Sequence, residues 1–208
     1  WGATAAQRLG DVLAHAQQLV PVYGASSPID EDFVRDMFTA ARLVNLDVGV
    51  RVLHLRLGSF DSHTSQIAGQ QLLLGRLDRG LRVFFETLAP SWSDRVVVAT
   101  TSEFGRRPRP NSSSGTDHGG ASVQFVVGAP VRGGHYGDVP SLGDLDANAN
   151  LRVTLDARQV FATLVASWLG GDASAVFEAD LPTLSLFGAK SNGSFPPAGP
   201  SDDSRLRV

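Results

Sequence analysis

Apolar residues recur at helical spacing in four parts of the chain. Residues 4–20 and a segment that ends near Asn45 carry an apolar residue every three or four positions, which predicts two helices. A longer helix is predicted from about Thr64 to Leu88, on the spacing of Ile67, Leu74, Leu77, Leu81, Phe84 and Leu88. A fourth helix is predicted to begin after Asp156, a suitable N-cap, and to stop at Gly170.

Three short apolar runs predict buried strands. They read "VGVRVLHLRLG" at 48–58, "DRVVVAT" at 94–100 and "SVQFVVG" at 122–128. Buried strands that alternate with helices favour an α/β domain whose central, mostly parallel sheet is sandwiched by helices. We expect the first two strands to be parallel neighbours joined by a right-handed crossover. This domain is expected to span residues 1–189, and the Pro-, Gly- and Ser-rich segment 190–208 is expected to be a disordered tail.

The composition limits the kinds of metal donor and binding partner that the chain can have. The 208 residues include no cysteine, so any metal must be held by nitrogen and oxygen donors. The net charge of -3 gives no indication of nucleic acid or an anionic membrane as partner. No apolar run reaches the roughly 18 residues of a membrane-spanning helix. The opening "WGATAAQRLG" has no initiator methionine, which is typical of a processed or truncated product.

Polar clusters adjoin all three predicted strands. "FDSH" follows the first strand, "SEFGR" follows the second, and "TDHGG" precedes the third. Because ligands bind beyond the carboxyl ends of strands in α/β sheets, we expect these clusters to meet at one edge. Carboxylates with imidazoles suit Zn, Mn, Fe or Mg. The candidate metal ligands are Asp61, His63, Glu103, Asp117 and His118.

Each candidate also has a purely structural interpretation. Asp61 could cap the helix that begins near Thr64. Glu103 could be a surface carboxylate paired with Arg106, and Asp117 could be an ordinary turn residue. The occurrence of three such elements at three strand ends is what favours a metal site.

Together these segments resemble a known family. "LRLGSFDSHTSQ", "VVVATTSEFGRRPRPNSSSGTDHGGASVQFVVGAPVRGGHYGDVPSL" and "VTLDARQVFATLVASWLG" are similar to the C-terminal half of the DUF1501 proteins, an uncharacterised bacterial family related to alkaline phosphatases and sulfatases. The resemblance covers roughly 50–187. It implies an alkaline phosphatase-like fold, metal ions at the strand ends, and phosphoryl or sulfuryl transfer. It also implies an exported protein, in the periplasm or outside the cell.

The resemblance assigns roles to particular residues. Asp61, His63 and His118 are similar to the ligands of one metal ion. The second ion of the superfamily takes an adjacent Asp-His pair, and here the matching pair is Glu103-Phe104. Phenylalanine offers no donor, so we expect at most one tightly held divalent ion, Zn or Mn. The catalytic nucleophile is expected upstream of Trp1, so these 208 residues alone should show little or no ester hydrolysis.

The leading functional hypothesis is a metal-dependent hydrolase acting on an anionic ester, phosphate or sulfate, of a small anionic or sugar-linked substrate. Arg106 or Arg107 would then hold the anionic group bidentately; the alternative for this pair is a solvated surface loop. A second hypothesis is a non-catalytic descendant that keeps the fold, binds metal or an anion such as an anionic sugar or envelope component, and has an envelope-associated binding or structural role. A third is a structural protein whose polar loops only cap strands. If the hydrolase hypothesis is correct, the expected partner of these 208 residues is an N-terminal half of the same protein.

Overall fold

The computed structural model describes residues 28–188 of the chain. The helices there are α1 (Pro28–Asn45), α2 (Gln66–Thr87), α3 (Ala157–Thr163) and α4 (Ala173–Phe177). The strands are β1 (Val98–Ala99), β2 (Gly105–Pro110), β3 (Thr116–Gly119) and β4 (Val126–Val127). A 3₁₀ turn, Pro90–Trp92, follows α2, and a π-helical turn, Leu164–Trp168, continues α3. The helix predicted over 4–20 and the tail predicted over 190–208 lie outside the described residues.

The pair of helices α1 and α2 forms the main core, and both helices were predicted from their apolar spacing. Their contact is close because Gly80 of α2 has no side chain: a Cβ atom there would lie 2.4 Å from the Phe33 ring. Around this point the buried residues of one cluster pack together; they are Phe33, Met37, Ala40, Ala41, Phe84 and Leu88. Burial of these apolar side chains is the main stabilising contribution that the described residues show.

The described residues form a mixed α/β structure with small antiparallel sheets. β1 pairs with β4 and β2 pairs with β3, each pair being antiparallel. Within residues 28–188 the predicted central, mostly parallel sheet is therefore not shown. The physical reason lies in the connection: the chain leaves β1, runs through the β2–β3 hairpin and returns as β4. A return of this kind, without a crossover helix, brings β4 back antiparallel to β1.

The prediction of a strand at 48–58 is wrong. The segment is extended, but within residues 28–188 it pairs with no strand. Leu55 and Leu57 are half-buried against the α1–α2 core, whereas Val52 is 68% exposed. The exposed His54 and Arg56 alternate with the two leucines, which is the pattern of a one-sided extended segment. The apolar run predicts a largely buried strand, whereas in the structure only one side of the segment is covered.

The predicted helix after Asp156 is confirmed as α3. The Asp156 carboxylate accepts a hydrogen bond from the backbone N–H of Arg158, as an N-cap does. Thr163 at the end of α3 is fully buried, and its hydroxyl accepts the Leu184 N–H at 2.8 Å. Gly170, at φ +70°, ends the continuing turn. Among residues 28–188, none of the helices combines the length and the apolar character needed to cross a membrane.

Candidate metal centre

Two loops that are distant in sequence pair along their backbones and support the site. The loop ahead of α2 meets the turn between β2 and β3 through an antiparallel bridge between Thr64 and Ser114. The Ser65 N–H donates to the Ser113 carbonyl at 3.1 Å. Asp61 and His63 thereby come to lie beside the hairpin that carries His118.

Asn111 and Gly115 allow this close approach. The Asn111 side chain donates to the His63 carbonyl at 3.0 Å, and its Oδ1 accepts the N–H groups of Ser113 and Gly115. A Cβ atom on Gly115 would lie only 2.2 Å from the His63 carbonyl oxygen. Only glycine therefore fits there without movement of one loop. Sequence reasoning missed Asn111, although an Asn that opens a Ser- and Gly-rich turn is a recognisable signal.

Three donor atoms converge at this junction. His118 Nε2 lies 2.6 Å from Asp61 Oδ1, and His63 Nε2 lies 3.2 Å from the same oxygen. The two Nε2 atoms are 3.2 Å apart. All three residues are exposed, and they form the group within residues 28–188 whose donors could share one ion.

These separations fit a single metal ion bound by two imidazoles and one carboxylate. Tetrahedral Zn²⁺ with bonds of about 2.0–2.1 Å places its donors about 3.3 Å apart. Two of the three separations match that value. The third is a hydrogen bond, which would have to open by about 0.7 Å when an ion enters.

Electrostatics keep the carboxylates of the site ionised. The hydrogen bond from His118 holds the pKa of Asp61 below its ordinary value, and the charges of His118, His63 and Arg106 add to that effect. The hydrogen bond from Asn111 is the main cause that lowers the pKa of Asp117, and the nearby His63 ring, whose Nδ1 lies 3.5 Å away, lowers it further. A metal ligand must be deprotonated, so Asp61 is in the form that favours an ion.

Asp117 contacts the opposite side of the His63 ring. Its Oδ1 lies 3.5 Å from His63 Nδ1, while His63 Nε2 faces Asp61. A carboxylate at Nδ1 favours the tautomer with its proton on that nitrogen and leaves Nε2 free to bind. Asp117 is therefore placed to orient His63 and is outside the three-residue donor group.

Phe104 and Arg106 contact the rest of the cluster. The Phe104 ring stacks on the His118 ring, with centroids 4.0 Å apart and planes tilted by 8°. The Arg106 guanidinium donates to the carbonyls of Thr116 and Phe60, at 2.7 Å each, and lies 3.5 Å from Asp61 Oδ1. Sequence reasoning had assigned no role to the Phe104 ring beyond its lack of a donor.

The contacts of Asp61, Glu103 and Arg106 decide between their structural interpretations. Asp61 does not cap α2, whose N-cap is Ser65. Arg106 pairs with Asp61 and two carbonyls, so the proposed Glu103 partnership is wrong. Glu103 is exposed in the bend before β2 and is outside the donor group. Arg106 and Arg107 are consecutive in β2, where successive side chains point to opposite faces, and Arg106 is the one that lies beside Asp61.

The fold and site thus define a mixed α/β domain with an exposed His–His–Asp cluster. Comparison with known proteins adds the family. The family model named "Protein of unknown function (DUF1501)" matches residues 3–178, and the chain belongs to that family. No curated protein and no solved structure matches the chain.

Proposed function

We propose that the protein is a metal-dependent hydrolase of the alkaline phosphatase and sulfatase type that acts on a phosphate or sulfate ester. The observation that carries the proposal is the convergence of Asp61 Oδ1, His63 Nε2 and His118 Nε2 within 3.2 Å of one another. Such convergence requires two separate loops to be held together, which an ordinary polar surface does not need.

Asp61, His63 and His118 would hold one Zn or Mn ion. The ion would supply Lewis-acid polarisation of the ester oxygen. Asp117 orients the His63 ring through Nδ1, and Phe104 fixes the plane of the His118 ring. Because Phe104 offers no donor and Glu103 stands outside the donor group, the proposal is for one ion rather than two.

The proposal includes an alkaline phosphatase-like fold, in which the short strands would belong to a larger, mostly parallel sheet. Extended segments next to the small sheets expose apolar side chains, including Val52 (68%), Val123 (72%) and Phe125 (48%). Exposed apolar residues on extended backbone support additional layers or strands over these faces. Residence in the periplasm or outside the cell is proposed from the resemblance alone.

Metal content and hydrolysis together test the proposal. Elemental analysis of the natural protein should find Zn or Mn, and a panel of phosphate and sulfate esters should reveal turnover. Asp61→Asn should lose both, because the substitution removes an anionic donor, whereas Asp138→Asn, which changes an exposed aspartate outside the cluster, should keep both. The proposal is contradicted if turnover persists in Asp61→Asn, or if neither metal nor turnover is found.

A second function, binding of metal or an anionic envelope component without catalysis, is favoured by one observation. The Ser62 hydroxyl, which lies between two candidate ligands in sequence, is buried and has no hydrogen-bond partner. An activated nucleophile needs a base within hydrogen-bond reach, so Ser62 does not supply one. The first function therefore needs the nucleophile that is expected upstream of Trp1, whereas the second needs none. Stoichiometric metal in the natural protein without turnover on any ester would support this second function over the first.

A further inference from the structure

Arg106 connects three parts of the candidate metal centre. Its Nη1 atom donates to the Thr116 carbonyl in β3, and its Nη2 atom donates to the Phe60 carbonyl ahead of the ligand loop. The same Nη2 lies 3.5 Å from Asp61 Oδ1. The side chain is only 17% exposed, so most of it is enclosed by these neighbours.

The register of the hairpin places Arg106 opposite the ligand His118. The two residues are paired across β2 and β3. Side chains directly opposite in an antiparallel pair lie on the same face of the sheet. Arg106 therefore lies on the same face as His118, and it also donates a hydrogen bond to the loop that carries Asp61.

Phe104 adds a second connection between Arg106 and His118. The Arg106 guanidinium carbon lies 4.9 Å from the centroid of the Phe104 ring, within the range of a cation–π contact. That ring is the one stacked on His118. Movement of the guanidinium would therefore release both the Asp61 loop and the ring that supports His118.

We propose that Arg106 is a positioning residue that sets the separation of Asp61 and His118. It does so by fastening the Phe60–Asp61 backbone to β3 and by holding Phe104 against the His118 ring. The consequence for metal affinity depends on the proposed function, but the positioning itself does not. Two carbonyls and Asp61 already engage the guanidinium, so the inference gives Arg106 a positioning role in place of the predicted role in substrate binding.

Two substitutions separate the shape of the guanidinium from its charge. Arg106→Lys keeps the charge, but a single ammonium lacks the planar fork that serves two carbonyls. Arg106→Gln removes both. Arg109→Gln is the matched control, because Arg109 is an exposed arginine of the same strand.

The first measurement is proton NMR of the metal-free protein. Stacking on Phe104 should shift the His118 ring protons upfield in the wild type and in Arg109→Gln. Both Arg106 variants should lose that shift while the amide spectrum of the α1–α2 core is retained. An unchanged His118 shift in the Arg106 variants overturns the inference. So does global unfolding of both variants, because a positioning role at this site leaves the core intact.

The second measurement is Zn²⁺ affinity by calorimetry. Removal of a group that orients a metal ligand typically weakens affinity by about 10–100-fold, and we expect that loss in both Arg106 variants but not in Arg109→Gln. Unchanged Zn²⁺ affinity in both variants would show that Arg106 has no effect on metal binding. If the wild type binds no Zn²⁺ or Mn²⁺, the proposed function fails, and the NMR result still decides whether Arg106 positions His118.

Discussion

The Nε2 atoms of His63 and His118 lie 3.2 Å apart, although the residues are separated by 55 positions in the chain. His63 is held by the loop ahead of α2, and His118 is held by β3. The Thr64–Ser114 bridge joins these two supports. The separation of the two histidines therefore depends on the contact between the two loops.

Gly115→Ala should weaken metal binding without unfolding the protein. The added Cβ would lie 2.2 Å from the His63 carbonyl, so the hairpin turn must move away from the ligand loop. We expect a loss of about 10–100-fold in Zn²⁺ affinity, comparable to the loss of an orienting group. Gly133→Ala is the control, because a Cβ there meets no atom within 4 Å. Equal affinities for the two variants in calorimetry would contradict the prediction.

Phe84→Ala should strongly destabilise the protein. Phe84 is 5% exposed in the α1–α2 core, and removal of a buried aromatic ring leaves a cavity. The expected loss is about 3–5 kcal/mol in the free energy of unfolding, measured by urea titration. Phe125→Ala, at a phenylalanine that is 48% exposed, should cost less. A similar loss for both substitutions would mean that the core is placed wrongly.

Thr163→Val tests the contact between α3 and the segment that follows α4. The buried Thr163 hydroxyl donates to the Gln159 carbonyl and accepts the Leu184 N–H. Valine has nearly the same shape but leaves that N–H without its acceptor, which should cost about 1–3 kcal/mol in urea titration. Thr163→Ser keeps the hydroxyl and should be the less damaging substitution. The reverse order would contradict the hydrogen bond.

Asp146 should contribute stability that is lost in acid. Its carboxylate accepts the backbone N–H groups of Asn148 and Asn150 and the Asn150 side-chain amide. The Asn150 backbone hydrogen bond is the largest cause that lowers the Asp146 pKa in the folded state. A folded pKa below the unfolded value means that the stabilisation is complete above the unfolded pKa and disappears as pH falls through the folded pKa.

Asp146→Ala should therefore be less stable than the wild type at pH 7, and the difference should shrink as the pH is lowered. Urea titrations at several pH values measure this trend. Asp94→Ala, at an exposed aspartate, serves as a control for the general effect of removing a negative charge. A difference that stays constant down to the acid limit would contradict the role of the Asp146 carboxylate.

The sequence predicted local features better than the pairing of strands. Apolar spacing located α1 and α2, since a helix is defined by contacts within a few residues. The convergence of Asp61, His63 and His118 was also predicted, from their places beside the apolar runs. Parallel strands were expected to bring them together, whereas in the structure the antiparallel β2–β3 hairpin and the loop contact do so.

The remaining features depend on long-range geometry. Whether an apolar run such as 48–58 pairs with another strand depends on its neighbours in space, which periodicity does not contain. The role of Arg106 depends on two backbone carbonyl groups. Every residue has a backbone carbonyl, so no sequence pattern shows which ones an arginine will bind. The stacking of Phe104 on His118 follows from the bend ahead of β2 rather than from either side chain alone.

The central claim is that Asp61, His63 and His118 form one metal site, and a Zn²⁺ titration by calorimetry tests it most directly. The wild type should bind one ion per chain, and His118→Ala should lose at least about 10–100-fold in affinity. His135→Ala, which removes an exposed histidine outside the cluster, should bind as the wild type does. Two tightly bound ions per chain, or an affinity unchanged by His118→Ala, would contradict the account.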